Sequence, residues 1–133
     1  MIFLGPPGVG KTHLAVALAL KACQCGMSIY FTNMEDLIKK LRKDHEARRP
    51  GKGRSYYKSS LVVVDEVGPL EIKDSGWGQC LSELIDKRQT MIWTVRPSLV
   101  DQVHEKWNLE FIEHNVDEIE LPNLLKSIQA NLL

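Results

Sequence analysis

The chain has 133 residues, 44% apolar and 26% charged, and its 17 basic and 17 acidic side chains cancel to zero net charge. This is the make-up of a globular chain, expected to form one domain over residues 1–133 around one core. No apolar run is long enough to cross a membrane, and three cysteines, an odd number, speak against a disulfide framework.

Met1–Leu4 reads as a short strand that leads straight into the next motif, so no secretory leader is read and a cytoplasmic location is expected. Gly5-Pro6-Pro7-Gly8-Val9-Gly10-Lys11-Thr12 then has the spacing G-x-x-x-x-G-K-[ST] of a Walker A loop. Its glycines let the backbone curl so that successive N–H groups form an anion nest. Lys11 supplies a cation to the phosphates, and the Thr12 hydroxyl is a Mg²⁺ ligand candidate. Lys11–Cys25, rich in Ala and Leu, predicts a helix that Gly26 stops, with His13 flanking the nucleotide on its first turn. The positive end of this helix points where phosphate would sit.

Ser28–Phe31 reads as a second strand. Thr32 and Glu35 have capping-box spacing ahead of a helix burying Met34, Leu37, Ile38 and Leu41. Asn33, after the second strand, reads as a helix cap, with restraint of Glu66 as its other role. Arg49–Ser55 reads as a loop. Nine basic residues lie between Lys39 and Lys58; they form either a solvated face or, as the alternative, a contact for DNA.

Leu61–Asp65 is apolar on both faces, as a buried parallel strand requires. Gly68-Pro69 breaks it, and Ser75-Gly76 starts a helix over Trp77–Arg88. Thr90–Val95 is a fourth strand, followed by a helix from Pro97 to about Trp107. A fifth strand is expected over Leu109–Glu113 and a short sixth over Val116–Leu121. Pro122–Leu132 reads as a closing helix. Alternation of strands and helices implies parallel pairing, right-handed crossovers and an α/β sandwich, with ligands bound beyond the carboxyl ends of the strands.

That rim gathers the chemistry. Leu61–Val64 followed by Asp65-Glu66 is a Walker B pattern. Asp65 is the candidate Mg²⁺ acid beside Thr12. Glu66 is the candidate base for a water attacking the γ-phosphate. Thr94 or Arg96 ends the fourth strand where it could sense that phosphate, and Arg96 could also neutralise transition-state charge. Cys23, Cys25 and Cys80 read as reduced structural residues, and the tryptophans as packing groups.

From about Ile2 to Gly68 the chain resembles the ATPase of IstB-type transposition helpers, relatives of the DnaC helicase loader in the AAA+ class. Phe3–Ala15, Tyr30-Phe31-Thr32, Met34–Leu37, Asp44–Arg49 and Ser55–Lys58 carry the likeness. The resemblance implies a P-loop NTPase fold, three layers around a mainly parallel sheet of core order 5-1-4-3-2. It also implies binding of ATP or another nucleoside triphosphate with Mg²⁺, and work on DNA transposition. The Thr-Ser-Asn run that ends the family's fourth strand is replaced here by Trp93-Thr94-Val95-Arg96-Pro97. Residues 61–120 resemble instead the small P-loop nucleoside-triphosphatases, through Asp65–Glu71 and Val95–Val100. This second likeness implies hydrolysis, with Asp65 and Glu66 serving metal and water. Together the two resemblances raise the expectation of an engineered chimera with a seam near 61–68. Such a chain would bind phosphate with or without turnover.

Overall fold

The computed structural model describes residues 1–33, 36–37, 39–40, 43, 46, 58–72, 84–116, 123, 126 and 130. Five strands, β1 (Ile2–Leu4), β2 (Ile29–Asn33), β3 (Leu61–Val67), β4 (Met91–Val95) and β5 (Glu113–Asn115), form one sheet ordered β2-β3-β4-β1-β5. Every neighbouring pair is parallel. Read from the other edge this is the expected 5-1-4-3-2, an α/β fold. Helices α1 (Lys11–Gln24), α2 (Pro69–Ile72) and α3 (Val100–Trp107) join the strands, and a 3₁₀ turn over Pro97–Leu99 leads into α3.

The strands form where apolar side chains run unbroken. Leu61, Val62, Val63 and Val64 are all at most 1% exposed, as a parallel strand covered on both faces must be. Alternate residues feed two cores. Under α1, Phe3, Leu61, Val63 and Ile92 meet Ala15, Leu18, Ala19 and Ala22. On the other face, Ile2, Val62, Val64, Trp93 and Val95 meet Leu37, Leu84, Leu99 and Val103. Here the rings are large. Trp93 packs edge-on against Trp107 with centroids 5.2 Å apart and tilts against Phe111 at 5.5 Å.

Gly26 ends α1 as expected. With φ 84° it turns the chain so that Gly26 N–H reaches Cys23 O (2.9 Å) and Met27 N–H reaches Ala22 O (3.0 Å), the two bonds of a Schellman stop. Cys23 and Cys25 are free and exposed.

Several expectations move. The fifth strand lies at Glu113–Asn115 rather than Leu109–Glu113. Its partners are Ile2–Leu4, while Leu109–Ile112 runs as irregular chain whose Phe111 packs onto Trp93. The cap after β2 is Asn33, not Thr32. Asn33 Oδ1 accepts from Asp36 N–H at 2.7 Å, and its amide donates to Asp36 Oδ2 at 3.0 Å. Thr32 is buried and bonds the Asn33 carbonyl instead. Pro69 opens α2 immediately after β3. The Arg49–Ser55 loop, Ser75–Trp77, Cys80 and residues 117–121 of the expected sixth strand lie outside the described residues. Leu84–Asp86 is helical, as are Asn123, Lys126 and Ala130 of the expected closing helix. Among the described residues, no helix is long and apolar enough to cross a membrane.

Candidate nucleotide site

β1 delivers the loop to the carboxyl rim of the sheet and α1 carries it away. Gly8 and Gly10 adopt φ 89° and 96°, in the left-handed region that L side chains avoid, and neither would crowd a neighbour with an added Cβ. Conformation, not space, requires glycine there. Gly10 is the residue ahead of α1 and offers no side chain to its first turn, which also contains no acid. The positive end of α1 is therefore not neutralised by its own residues. Pro6, Pro7 and Gly8 are exposed, and Gly5 is buried where the loop leaves β1. Lys11 folds its ammonium back on the loop, donating to Gly5 O at 2.6 Å and Pro6 O at 2.8 Å. His13 is exposed on the next turn position.

β3 brings the acids to the same rim. The Thr12 hydroxyl lies 3.0 Å from both Asp65 oxygens, so its single proton is shared between them. A hydroxyl and a carboxylate at this spacing are hard oxygen donors. They fit Mg²⁺, which keeps several waters and takes one or two protein oxygens. Asp65 also stands opposite Asn33 in the β2–β3 register. Asn33 is engaged with Asp36, as the capping role requires, rather than with Glu66.

The β3–β4 register slips between Val64 and Val67, leaving a bulge at the two acids. Within it Glu66 has φ 62°, a left-handed conformation for a residue with a side chain. Such backbone costs on the order of 1–3 kcal/mol. The Glu66 side chain is 72% exposed, and its Oε1 accepts from Arg96 Nη2 at 3.2 Å. Arg96 is half-exposed in extended backbone, directly before the Pro97 turn.

The site thus unites Gly5–Thr12, Asp65, Glu66 and Arg96 from β1, β3 and β4. What the sequence reading missed is the place of Thr94. It is 2% exposed, below the rim rather than open to it. Its hydroxyl donates to Asp65 Oδ1 at 2.7 Å and accepts from Glu66 N–H at 2.7 Å. Only the bulge brings those two groups to one oxygen, and a bulge leaves no mark in composition or spacing. Of the basic block, Lys39, Lys40, Lys43 and Lys58 are described, all exposed.

The chain is similar to known proteins. The family described as IstB-like ATP binding protein matches residues 1–121. A Geobacillus stearothermophilus protein named for insertion sequence IS5376 and ATP binding is 37% identical over 89 residues, covering 66% of this chain and 35% of that protein. Its counterpart named for IS232 in Bacillus thuringiensis is 37% identical over 99 residues, 71% of this chain and 39% of that one. The chain therefore spans little more than a third of those relatives. Among solved structures, the DnaC helicase loader superposes with a TM-score of 0.63 at 27% identity, over 80% of this chain and 67% of its own. DnaA from Aquifex aeolicus, bound to AMPPCP, shares the fold with a TM-score of 0.66 at 18% identity, over 98% of this chain and 43% of its own. The family match spans residues on both sides of Leu61–Gly68. The residues likened to small nucleoside-triphosphatases fall inside that same match. The chain belongs to the IstB-like ATP binding protein family.

Proposed function

We propose that this chain binds ATP with Mg²⁺ at the rim formed by Gly5–Thr12 and Asp65, and hydrolyses it to ADP and phosphate. The observation that carries the reading is the meeting of Thr12 and Asp65 at 3.0 Å across 53 residues of chain. The Gly8–Gly10 backbone and the start of α1 present N–H groups and a positive dipole end to the phosphates. Lys11, held over the loop by two carbonyls, neutralises charge on the β- and γ-phosphates. Thr12 and Asp65 would hold Mg²⁺, which when bound neutralises phosphate oxygens as a Lewis acid. Glu66 orients a water toward the γ-phosphorus and takes its proton as the new P–O bond forms. The bond to the β–γ bridging oxygen breaks, and the electron pair leaves with ADP. Glu66 must leave Arg96 to do this, and the guanidinium it frees can then face the developing charge. Glu66→Gln tests the base: phosphate release should fall by about 10²–10⁴ while ATP binding persists. Release at the parent rate would overturn the assignment.

A second reading, work on DNA, is favoured by the insertion-sequence relatives and by the exposed Lys39, Lys40, Lys43 and Lys58. It requires a DNA complex whose affinity falls as salt rises, and no complex at low salt would remove it. In a third reading the chain binds nucleotide without turnover. The Glu66–Arg96 pair supports it, and undetectable phosphate release beside firm ATP binding would select it.

A further inference from the structure

Thr94 is below the rim and committed in two directions at once. Its oxygen is the acceptor for Glu66 N–H, and its proton goes to Asp65 Oδ1, both at 2.7 Å. Both are well-formed bonds, made by a residue only 2% exposed. The register slip between Val64 and Val67 takes the two acids out of the regular β3–β4 ladder. The Thr94 side chain therefore supplies at the bulge what a backbone carbonyl would supply in an unbroken ladder.

The direction of the proton matters. A hydroxyl has one, and Glu66 N–H can only donate. One Thr94 lone pair accepts from Glu66 N–H, and its single proton goes to the Asp65 carboxylate. That bond fixes the rotamer of the carboxylate. Asp65 is consequently gripped from both sides by hydroxyls, Thr12 from the phosphate loop and Thr94 from β4. The two grips differ in kind. Thr12 is exposed and belongs to the ligand-binding loop, so its oxygen is needed by a bound cation. Thr94 is buried below the rim, and its oxygen is already committed to both acids.

We infer that Thr94 is the positioning residue of this site: it presets Asp65 for a divalent cation and, through the Glu66 amide, fixes where Glu66 leaves β3. The inference rests on the nucleotide reading above and adds to it a residue that touches neither nucleotide nor metal. Carboxylates that hold metals are oriented by such outer partners, and losing one typically costs about 10–100-fold in metal affinity.

The test is a calorimetric titration of ATP, in Mg²⁺ and in EDTA, on the parent chain, Thr94→Val and Thr94→Ser. The valine keeps shape and removes the hydroxyl, whereas the serine keeps the hydroxyl and removes a methyl. The ratio of ATP affinities with and without Mg²⁺ should fall by about tenfold or more in Thr94→Val and stay near the parent value in Thr94→Ser. In parallel, amide exchange at Glu66 should quicken in Thr94→Val and remain slow in Thr94→Ser. If Thr94→Val does not fold, Thr94→Ser and Thr94→Ala decide together: a purely packing role would leave the serine's Mg²⁺ ratio no better than the alanine's, and the positioning role keeps it near the parent value. Equal Mg²⁺ ratios in parent and Thr94→Val, or equal losses in the valine and serine variants, would overturn the positioning role. ATP would still bind the parent chain in those cases, so the nucleotide reading would stand. A parent chain that binds no ATP in either buffer would overturn both.

Discussion

The middle of the sheet and its carboxyl rim are built on opposite terms. In the middle, Leu61–Val64, Ile92 and Trp93 are buried in regular parallel strands, and each side chain relieves the solvent exposure of another. At the rim, a few residues farther on, the register slips, Glu66 and two loop glycines take left-handed backbone, and two acids stand side by side. The middle is where the chain gains stability. The rim is where it gives some back to hold polar groups in set positions. Substitutions should therefore separate: in the middle they cost stability, and at the rim they cost ligand chemistry, with stability changing only where backbone strain changes.

The largest effect expected is in the middle. Trp93→Ala removes a fully buried indole packed against Trp107 and Phe111, and should destabilise by about 3–5 kcal/mol in chemical denaturation. Trp93→Phe should lose far less, about 1–2 kcal/mol, because the buried Nε1 has no hydrogen-bond partner among the described residues to forfeit. A larger loss in the phenylalanine variant would show that the indole N–H is satisfied after all.

Next comes the rim. Among the described residues, Lys11 donates to carbonyls of its own loop, Gly5 and Pro6. Lys11→Ala should therefore lower ATP affinity on the order of 10²-fold, measured by calorimetry, with the unfolding midpoint nearly unmoved. A midpoint that drops with the affinity would blur the division. Gly10→Ala should cost about 1–2 kcal/mol, all of it from φ 96°, since an added Cβ meets nothing within 4 Å.

Glu66→Gly gives the opposite sign. Relief of φ 62° should raise stability by about 0.5–1 kcal/mol while phosphate release is lost. The exposed contact to Arg96 that disappears with it is of the kind that contributes little. A destabilised glycine variant would show that the bulge favours Glu66 for reasons other than function.

The smallest effect is electrostatic. Burial, and then the positive amino terminus, hold the His114 pKa below its ordinary 6.5. The unfolded chain binds a proton there that the folded chain resists, so this contribution is complete above pH 6.5 and is lost as pH falls toward the folded value. His114→Gln should flatten the stability profile below neutrality. An unchanged slope would mean that His114 ionises freely in the folded chain.

How far the sequence foretold this division depends on the kind of signal. Gly5–Thr12 and Asp65-Glu66 are contiguous motifs, and the structure brings them to one rim as strand–loop–helix alternation implied. The strand order also came through, carried by a family likeness rather than by periodicity. β5 slipped by several residues because Leu109, Phe111 and Ile112 have a strand's composition, whereas Phe111 packs onto Trp93 from irregular chain. The true strand, Glu113-His114-Asn115, is polar because it lies at the sheet edge. Thr32 and Asn33 both offer a cap; burial of Thr32 leaves the role to Asn33, which also reads as a cap in the sequence. Thr94 was seen as a strand end but not as the partner of both acids. Its role depends on a register slip between two strands far apart in sequence.

Ala15, Ala19 and Ala22 line the face of α1 that rests on the sheet. They work as a spacer of fixed thickness. The loop at one end of α1 carries Thr12, and the strand beneath carries Asp65, so the depth of the alanine layer sets how far apart the two oxygen donors stand. A larger side chain at Ala15, one turn from Thr12, would lift the loop off the acid before it disturbed anything else. Misplacement by about 1 Å can cost on the order of 10²-fold in rate. The dullest residues of the helix thus act as its calibration, and a packing change that leaves every polar group intact would detune the site from below.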